Sequence, residues 1–304
     1  MICNDMWLLL AFFSAILLGF YDVCKKKSLE NNAVLIVLFL NTLFSSLIFL
    51  PLILGSLPSS SPLVGTLLEV PVQPLSAHGY VLVKSGIVLS SWIFGYYGMK
   101  HLPLTIVGPI NATRPVMVLV GAMLLFGERL NALQWIGVLL AIFSFFMLSR
   151  SGKKEGIDFK HNKWIYFVVL AAIMGAISGL YDKFLMQKLN PLFVQSWFTL
   201  YQVLFMGPIL LLIWWPQRRK TTPFQWRWSI LLISLFLSAA DFAYFYALSL
   251  EGALISVISM VRRGSVVVSF LFGALLFKEK NLKSKALDLL FVLIGLFFLY
   301  IGSK

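Results

Sequence analysis

Ten apolar windows, each close to the length that crosses a bilayer, constrain this chain more than any other feature. They cover residues 6–23, 34–54, 80–99, 104–126, 132–149, 164–182, 192–213, 229–249, 253–277 and 286–301. A helix spans the hydrocarbon core in about 20 residues. The pattern therefore predicts ten transmembrane helices joined by loops, with no room for a soluble domain. Composition agrees: 60% of residues are hydrophobic and 12% charged, where a soluble domain carries about 25% charged residues. The first window has neither a basic leader nor a small-residue cleavage site, so it is expected to be a span, not a removed signal peptide.

The second constraint is duplication. Gly19-Phe20-Tyr21-Asp22 returns 160 residues later as Gly179-Leu180-Tyr181-Asp182. Phe126-Gly127-Glu128-Arg129 returns as Phe277-Lys278-Glu279-Lys280, again just before a last apolar run. Between these landmarks lie Arg114-Pro115 in one half and Arg262-Arg263-Gly264 in the other. The expected organisation is a five-helix repeat over 1–149, a basic linker over 150–163 and a second repeat over 164–304. Loop charge sets the orientation. Odd-numbered loops hold 17 lysines and arginines, against 4 in the even loops and the tail. The positive-inside rule places the odd loops in the cytoplasm and both termini outside. Five spans per half then make the two repeats inverted. The predicted fold is an all-α integral membrane protein of ten transmembrane helices in two inverted five-helix repeats, in a cell or inner membrane.

The net charge of +13 does not point to nucleic acid, because the basic residues sit in short loops beside the membrane and no nucleic-acid fingerprint accompanies them. Cys3 and Cys24 lie at opposite ends of the first span, too far apart to bridge. The stretch from Gly55 to Gly79, broken by prolines and with Glu69 as its one charge, is expected to be an external loop.

Four basic residues fall inside apolar windows: Lys84, Arg114, Arg262 and Arg263. Lys84, near the outer end of the third window, is expected to snorkel to water. The arginines lie near the midplane, where each costs at least about 2.5–3.5 kcal/mol on insertion scales. Something must neutralise or hydrate them. Asp241 is one candidate: with a turn at Gly252, Asp241 and Arg263 stand eleven residues either side and reach one depth. The equivalent turn at Pro103 sets Trp92 opposite Arg114, with no carboxylate. Three arginines against one aspartate leave an excess of two positive charges, which a phosphate group of about −1.5 to −2 would balance.

Adjacent arginines point about 100° apart on a helix, so one of Arg262 and Arg263 should face the cavity. Arg263 is preferred because it matches the depth of Asp241. Asn111 shares a helix face with Arg114 and joins Ser259, Tyr244 and Tyr246 as candidate substrate contacts. The alternative is structural, with arginines bonded to aspartate or to carbonyls near Pro109 and Pro115. Tyr21, Asp22, Tyr181 and Asp182 close the repeated motifs and are candidate gate residues, the two aspartates being candidate proton carriers as well. The alternative for the aspartates is a helix-end salt bridge with Lys25, Lys26 or Lys183. Gly175 and Gly179 form a small-residue pair suited to close helix contact.

No catalytic constellation, metal-ligand spacing or cofactor motif appears. His78, His101 and His161 fall in loops or at span ends. The expected function is secondary transport of a small anionic metabolite, phosphorylated in its sharpest form, by alternating access. The alternatives are an exporter of amino acids or drugs, and a non-transporting scaffold.

Two five-span halves, each with an apolar run, an F-x-E-[RK] turn and a last helix, resemble the drug/metabolite transporter superfamily, specifically its EamA-type members. Phe126-Gly127-Glu128-Arg129-Leu130 matches the usual G-E-[RK]-L turn, and Lys278-Glu279-Lys280-Asn281 departs from it. The resemblance implies this fold and a transport role, and relatives commonly have cytosolic termini, opposite to the loop-charge reading. Met260-Val261-Arg262-Arg263-Gly264-Ser265-Val266-Val267-Val268-Ser269 is similar to the phosphate-binding ninth helix of plastid sugar-phosphate translocators. That resemblance implies a phosphate-binding role for Arg262 and Arg263. In the fourth helix, where those translocators carry a glutamate and a lysine, this chain has Asn111 and Arg114.

Overall fold

The computed structural model describes residues 6–57, 63, 65–102, 110–111, 113–151, 162–265, 267–268, 272 and 282–302. Pro103, Pro109, Glu279, Lys280, Cys3, His161 and most of the linker lie outside the described residues. Every regular element among those described is helical. We label the helices α1 (Met6–Leu29), α2 (Val34–Ser56), α3 (Leu75–His101), α4 (Arg114–Phe126), α5 (Ala132–Ser151), α6 (Lys163–Met186), α7 (Pro191–Ile209), α8 (Ser229–Ser249), α9 (Ile255–Arg263) and α10 (Leu282–Gly302).

Local chemistry explains where these helices begin and end. The Asn162 side chain accepts from the Trp164 amide at the start of α6. Asn190 accepts from the Leu192 and Phe193 amides at the start of α7, with Pro191 at the first helical position. Gly127 ends α4 at φ 64° and Gly252 turns α8 into α9 at φ 76°, left-handed values that glycine adopts without a Cβ penalty. Pro208 removes a donor from α7, and the helix continues through a π-helical turn over Leu210–Trp214 and a short turn at Trp215–Gln217. Lys26 and Lys27 close the last turn of α1, where cations complement the helix dipole.

Among the described residues, five helices are long and apolar enough to cross a membrane: 6–29, 34–56, 163–186, 191–217 and 229–249. Outward-facing side chains on these helices and on the shorter apolar α4 are lipid-compatible. Leu124, Leu125 and Leu212 are 80%, 69% and 76% exposed, a surface that water would not tolerate as one continuous belt. Exposed Trp215, Trp226 and Trp228 flank the junction between α7 and α8 beside Arg218, Arg219 and Lys220, the usual dress of a membrane boundary.

Helices pack mainly across the two halves of the sequence. α1 lies along α8 and touches α9; α3 lies along α6, and α4 also packs on α6. α2 packs on α7 and α8, α3 on α7, and α5 on α10. Two groups result, α1/α8/α9 and α3/α4/α6, which meet where α9 contacts α4 and where α8 and α9 contact α6.

The segment after α2 folds back over the bundle. The Val70 amide donates to Ser56 Oγ at 2.9 Å, and Tyr246 Oη donates to the Leu67 carbonyl at 3.1 Å. The α7–α8 connection is tied to the α1–α2 turn, with Asn32 Nδ2 donating to the Gln225 carbonyl at 2.7 Å and its Oδ1 accepting the Gln225 amide at 2.9 Å.

Candidate functional site

The junction of the two helix groups holds the charge that the sequence places in the membrane. Arg114 opens α4, and its Nη2 donates to the Gly175 carbonyl in the middle of α6 at 2.7 Å. Gly175 makes room for it: a Cβ built there would lie 2.4 Å from Arg114 Cζ. The small-residue pair Gly175/Gly179 is thus partly a socket for a guanidinium, beyond the helix contact expected of it.

Arg262 Nη2 donates to Asp241 Oδ1 at 2.7 Å, linking α9 to α8. This corrects the expected pairing of Asp241 with Arg263. One residue, about 1.5 Å of rise, separates the two arginines along α9, so azimuth decides between them. The Arg262 guanidinium also lies 3.9 Å from the centre of the Tyr244 ring, a cation–π contact. Among the described residues its Nε is buried with no hydrogen-bond partner.

Tyr244 carries the contact further. Its Oη donates to Asp182 Oδ2 at 3.2 Å, while Asp182 Oδ1 accepts from Lys84 Nζ. Lys84 and Asp182 are 2% and 5% exposed. Two expectations are corrected here. Lys84 does not snorkel, because α3 starts at Leu75 and carries it deep, against the Phe198 and Phe245 rings at 4.6 and 4.9 Å. Asp182 is no helix-end salt bridge with Lys183, whose Nζ donates instead to the Ala253 carbonyl.

The first-half motif forms a second cluster. Lys25 is buried against the Tyr96 ring at 4.2 Å and the Tyr21 ring at 5.1 Å, and the two tyrosine hydroxyls lie 3.5 Å apart. Asp22 is in electrostatic range of Lys25 and Arg263, and Arg263 in range of Arg114, Asp22 and Arg262. Arg114 in turn feels Arg262, Asp182 and Asp241. One connected network therefore holds five cations (Lys25, Lys84, Arg114, Arg262, Arg263) and three carboxylates (Asp22, Asp182, Asp241), an excess of two positive charges.

Other expected residues stand as follows. Asn111 and Ser259 are partly buried, on the approach to α4 and on α9. The Tyr246 hydroxyl donates to the Leu67 carbonyl in an exposed contact. Tyr181 donates to the Tyr80 carbonyl at 3.2 Å, an exposed contact between α6 and α3.

Glu128 is a further residue of consequence. Its carboxylate accepts from the Ile255 amide at 2.8 Å, the Ser256 amide at 3.1 Å and the Ser256 hydroxyl, so the turn after α4 caps the start of α9. With Lys183 bonded to Ala253, one end of the α4–α6–α9 junction is latched. Among the described residues no group of histidine, cysteine or acidic side chains could hold a metal ion.

The sequence matches the profile of the EamA-like transporter family twice, over residues 5–150 and 162–301. It is similar to an uncharacterized transporter of Archaeoglobus fulgidus, 25% identical over 185 residues. That match covers 60% of each protein, so the chain spans about three fifths of the relative's length. One solved crystal structure superposes with a TM-score of 0.72 over 95% of this chain and 94% of its own, at 14% identity, which establishes a shared fold alone.

Proposed function

This chain belongs to the EamA-like transporter family and is a multi-pass integral membrane protein; from that premise we propose that it carries a small anionic metabolite, with phosphate esters as the best-fitting class. The carrying observation is the excess of two positive charges where the two helix groups meet. A bound phosphate group of about −1.5 to −2 would neutralise it and accept bidentate guanidinium bonds.

In this reading Arg262, Arg263 and Arg114 bind the anion, and Asp241 holds Arg262 in place. Asn111 and Ser259 line the site, and Tyr244 shapes it. Tyr21 and Asp22 on one side and Tyr181 and Asp182 on the other act as gates. The likeness of the α9 sequence to plastid phosphate translocators supports the same ligand class.

We read the chain as two inverted repeats over 1–149 and 164–304, joined by the 150–163 linker, with odd loops cytoplasmic and both termini outside. The helix pairings support a two-fold relation. Exchanging the halves converts α1 on α8 into α6 on α3, α4 on α6 into α9 on α1, and α2 on α8 into α7 on α3, and all six contacts exist. Alternating access then follows from rocking the two helix groups about the α4–α9 contact. An unloaded site with bare positive charge resists closure, which favours exchange of one anion for another.

The test is a thermal-shift screen of purified protein against phosphorylated metabolites, amino acids and cationic drugs, followed by counterflow in proteoliposomes. Stabilisation by phosphate esters that disappears in Arg263→Gln supports the reading. Stabilisation by cationic drugs alone overturns it.

A further inference from the structure

An arginine site for an anion has no evident use for a buried lysine–aspartate pair beside it. Lys84 and Asp182 both lie out of water, where separating such a pair from solvent is expensive. The pair is not needed to join α3 to α6. Ser91 Oγ already donates to the Ala171 carbonyl at 2.8 Å, and Gly98 admits Val168 so closely that a Cβ there would lie 2.3 Å from Val168 Cγ2. Its position matters more than its strength. Asp182 and Lys84 belong to the α3/α4/α6 group, while the donor to the second carboxylate oxygen, Tyr244, comes from the α1/α8/α9 group. The ring of that same tyrosine lies on the Arg262 guanidinium. One side chain thus touches both the anion site and the buried carboxylate.

We propose that Asp182 is a proton-binding site, clamped by Lys84 and linked to anion binding at Arg262 through Tyr244, so that proton and anion are carried together. This rests on the anion reading above and adds a proton to each exchanged anion.

The charges facing Asp182 set the sign. Lys84 on α3, Arg114 on α4 and Arg262 on α9 favour the ionised carboxylate; Asp241 on α8 disfavours it; Tyr244 on α8 donates to it. An anion bound to Arg114 and Arg262 cancels two of those three cations. Moving Tyr244 off Asp182 to admit the anion removes a donor as well. The carboxylate then takes a proton from the side of the membrane to which the site is open, and the network gains one positive charge. By linkage, that proton tightens the hold on the anion to the same degree. The bound proton and the bound anion leave together when the opposite side opens, returning Asp182 to its ionised pair with Lys84.

The experiment is a pH titration of the purified full-length protein by infrared difference spectroscopy, with inorganic phosphate as the anion probe. A protonated-carboxyl band should appear as pH falls, vanish in Asp182→Asn, persist in Asp22→Asn, and titrate with a displaced midpoint in Tyr244→Phe. Because Asp182→Asn strands Lys84, the double variant Lys84→Met/Asp182→Asn, which removes both charges, is measured in parallel and should also lack the band. Retention of the band in a folded double variant, judged by its size-exclusion profile, overturns the proposal, as does an unmoved midpoint in Tyr244→Phe. Addition of phosphate should strengthen the band at fixed pH. A band assigned to Asp182 that ignores phosphate, in a protein also not stabilised by phosphate esters, overturns the anion reading and leaves the proton site standing.

Discussion

Replacing Gly175 with alanine tests whether the Arg114 guanidinium is held where the helix packing places it. The new Cβ would lie 2.4 Å from Arg114 Cζ and 2.7 Å from its Nε and Nη1, closer than carbon contacts allow. The guanidinium is the far end of a flexible side chain, so it moves and the helices stay. Moving it breaks the 2.7 Å bond to the Gly175 carbonyl. A bond to a charged donor is worth about 1.5–3 kcal/mol, and alanine returns up to about 1 kcal/mol over glycine in a helix. The net cost is therefore about 0.5–3 kcal/mol. Gly179→Ala, one turn further along α6, is the control. Its Cβ would meet Val118 Cγ2 at an ordinary 3.6 Å, leaving only the helix-propensity gain. The two variants should move the thermal midpoint in opposite directions in detergent. Gly175→Ala should also change the stabilisation given by phosphate esters, which Gly179→Ala should leave alone. Equal behaviour of the two alanines would refute the socket and remove Arg114 from the site.

Glu128→Ala strips the start of α9 of the carboxylate that accepts from the Ile255 and Ser256 amides. It should cost about 1–3 kcal/mol in denaturation of the purified protein, with Glu128→Gln intermediate. Lys84→Met alone should destabilise by about 3–5 kcal/mol, and Lys84→Met/Asp182→Asn by clearly less than the sum of the single changes, the signature of a buried pair in a double-mutant cycle. Glu30→Ala should change stability by less than about 1 kcal/mol, because its partner Arg227 is 3.7 Å away and Glu30 is 66% exposed.

The sequence carried the helices, and it misplaced charges near their ends. Hydropathy windows stop where polar residues thin the apolar run, so they underestimate helices whose ends carry polar or charged residues. The third window opens at residue 80, yet α3 opens at Leu75, which sets Lys84 about 14 Å from the helix start. The sixth window closes at Asp182, but α6 runs on to Met186, so this aspartate lies inside the helix. Those two boundary errors turned one buried ion pair into two separate surface residues. The repeated Gly-x-Tyr-Asp motif was the available signal, since an aspartate preserved in both copies at the same register asks for a partner in the opposite half.

Azimuth explains the remaining difference. Arg262 and Arg263 differ by only about 1.5 Å in depth but by about 100° around the helix, so counting from the turn at Gly252 could not choose between them. Packing chooses. Arg262 faces α8, where Asp241 and Tyr244 wait, and Arg263 lies in range of Asp22 and Arg114 at the other side of the junction. The excess of two positive charges is unchanged by this exchange, and by the arrival of Lys84 with Asp182 and Lys25 with Asp22, because each added cation brings its own carboxylate. Charge balance therefore constrains the ligand more firmly than any single pairing does. A dianion completes the network whichever arginine it meets first, whereas a monoanionic carboxylate leaves one charge uncompensated unless it carries a second acidic group. Binding strength should then follow ligand valence, with phosphate monoesters held more tightly than the matching methyl phosphodiesters in the same buffer; equal affinity for the two would detach the charge excess from the ligand altogether.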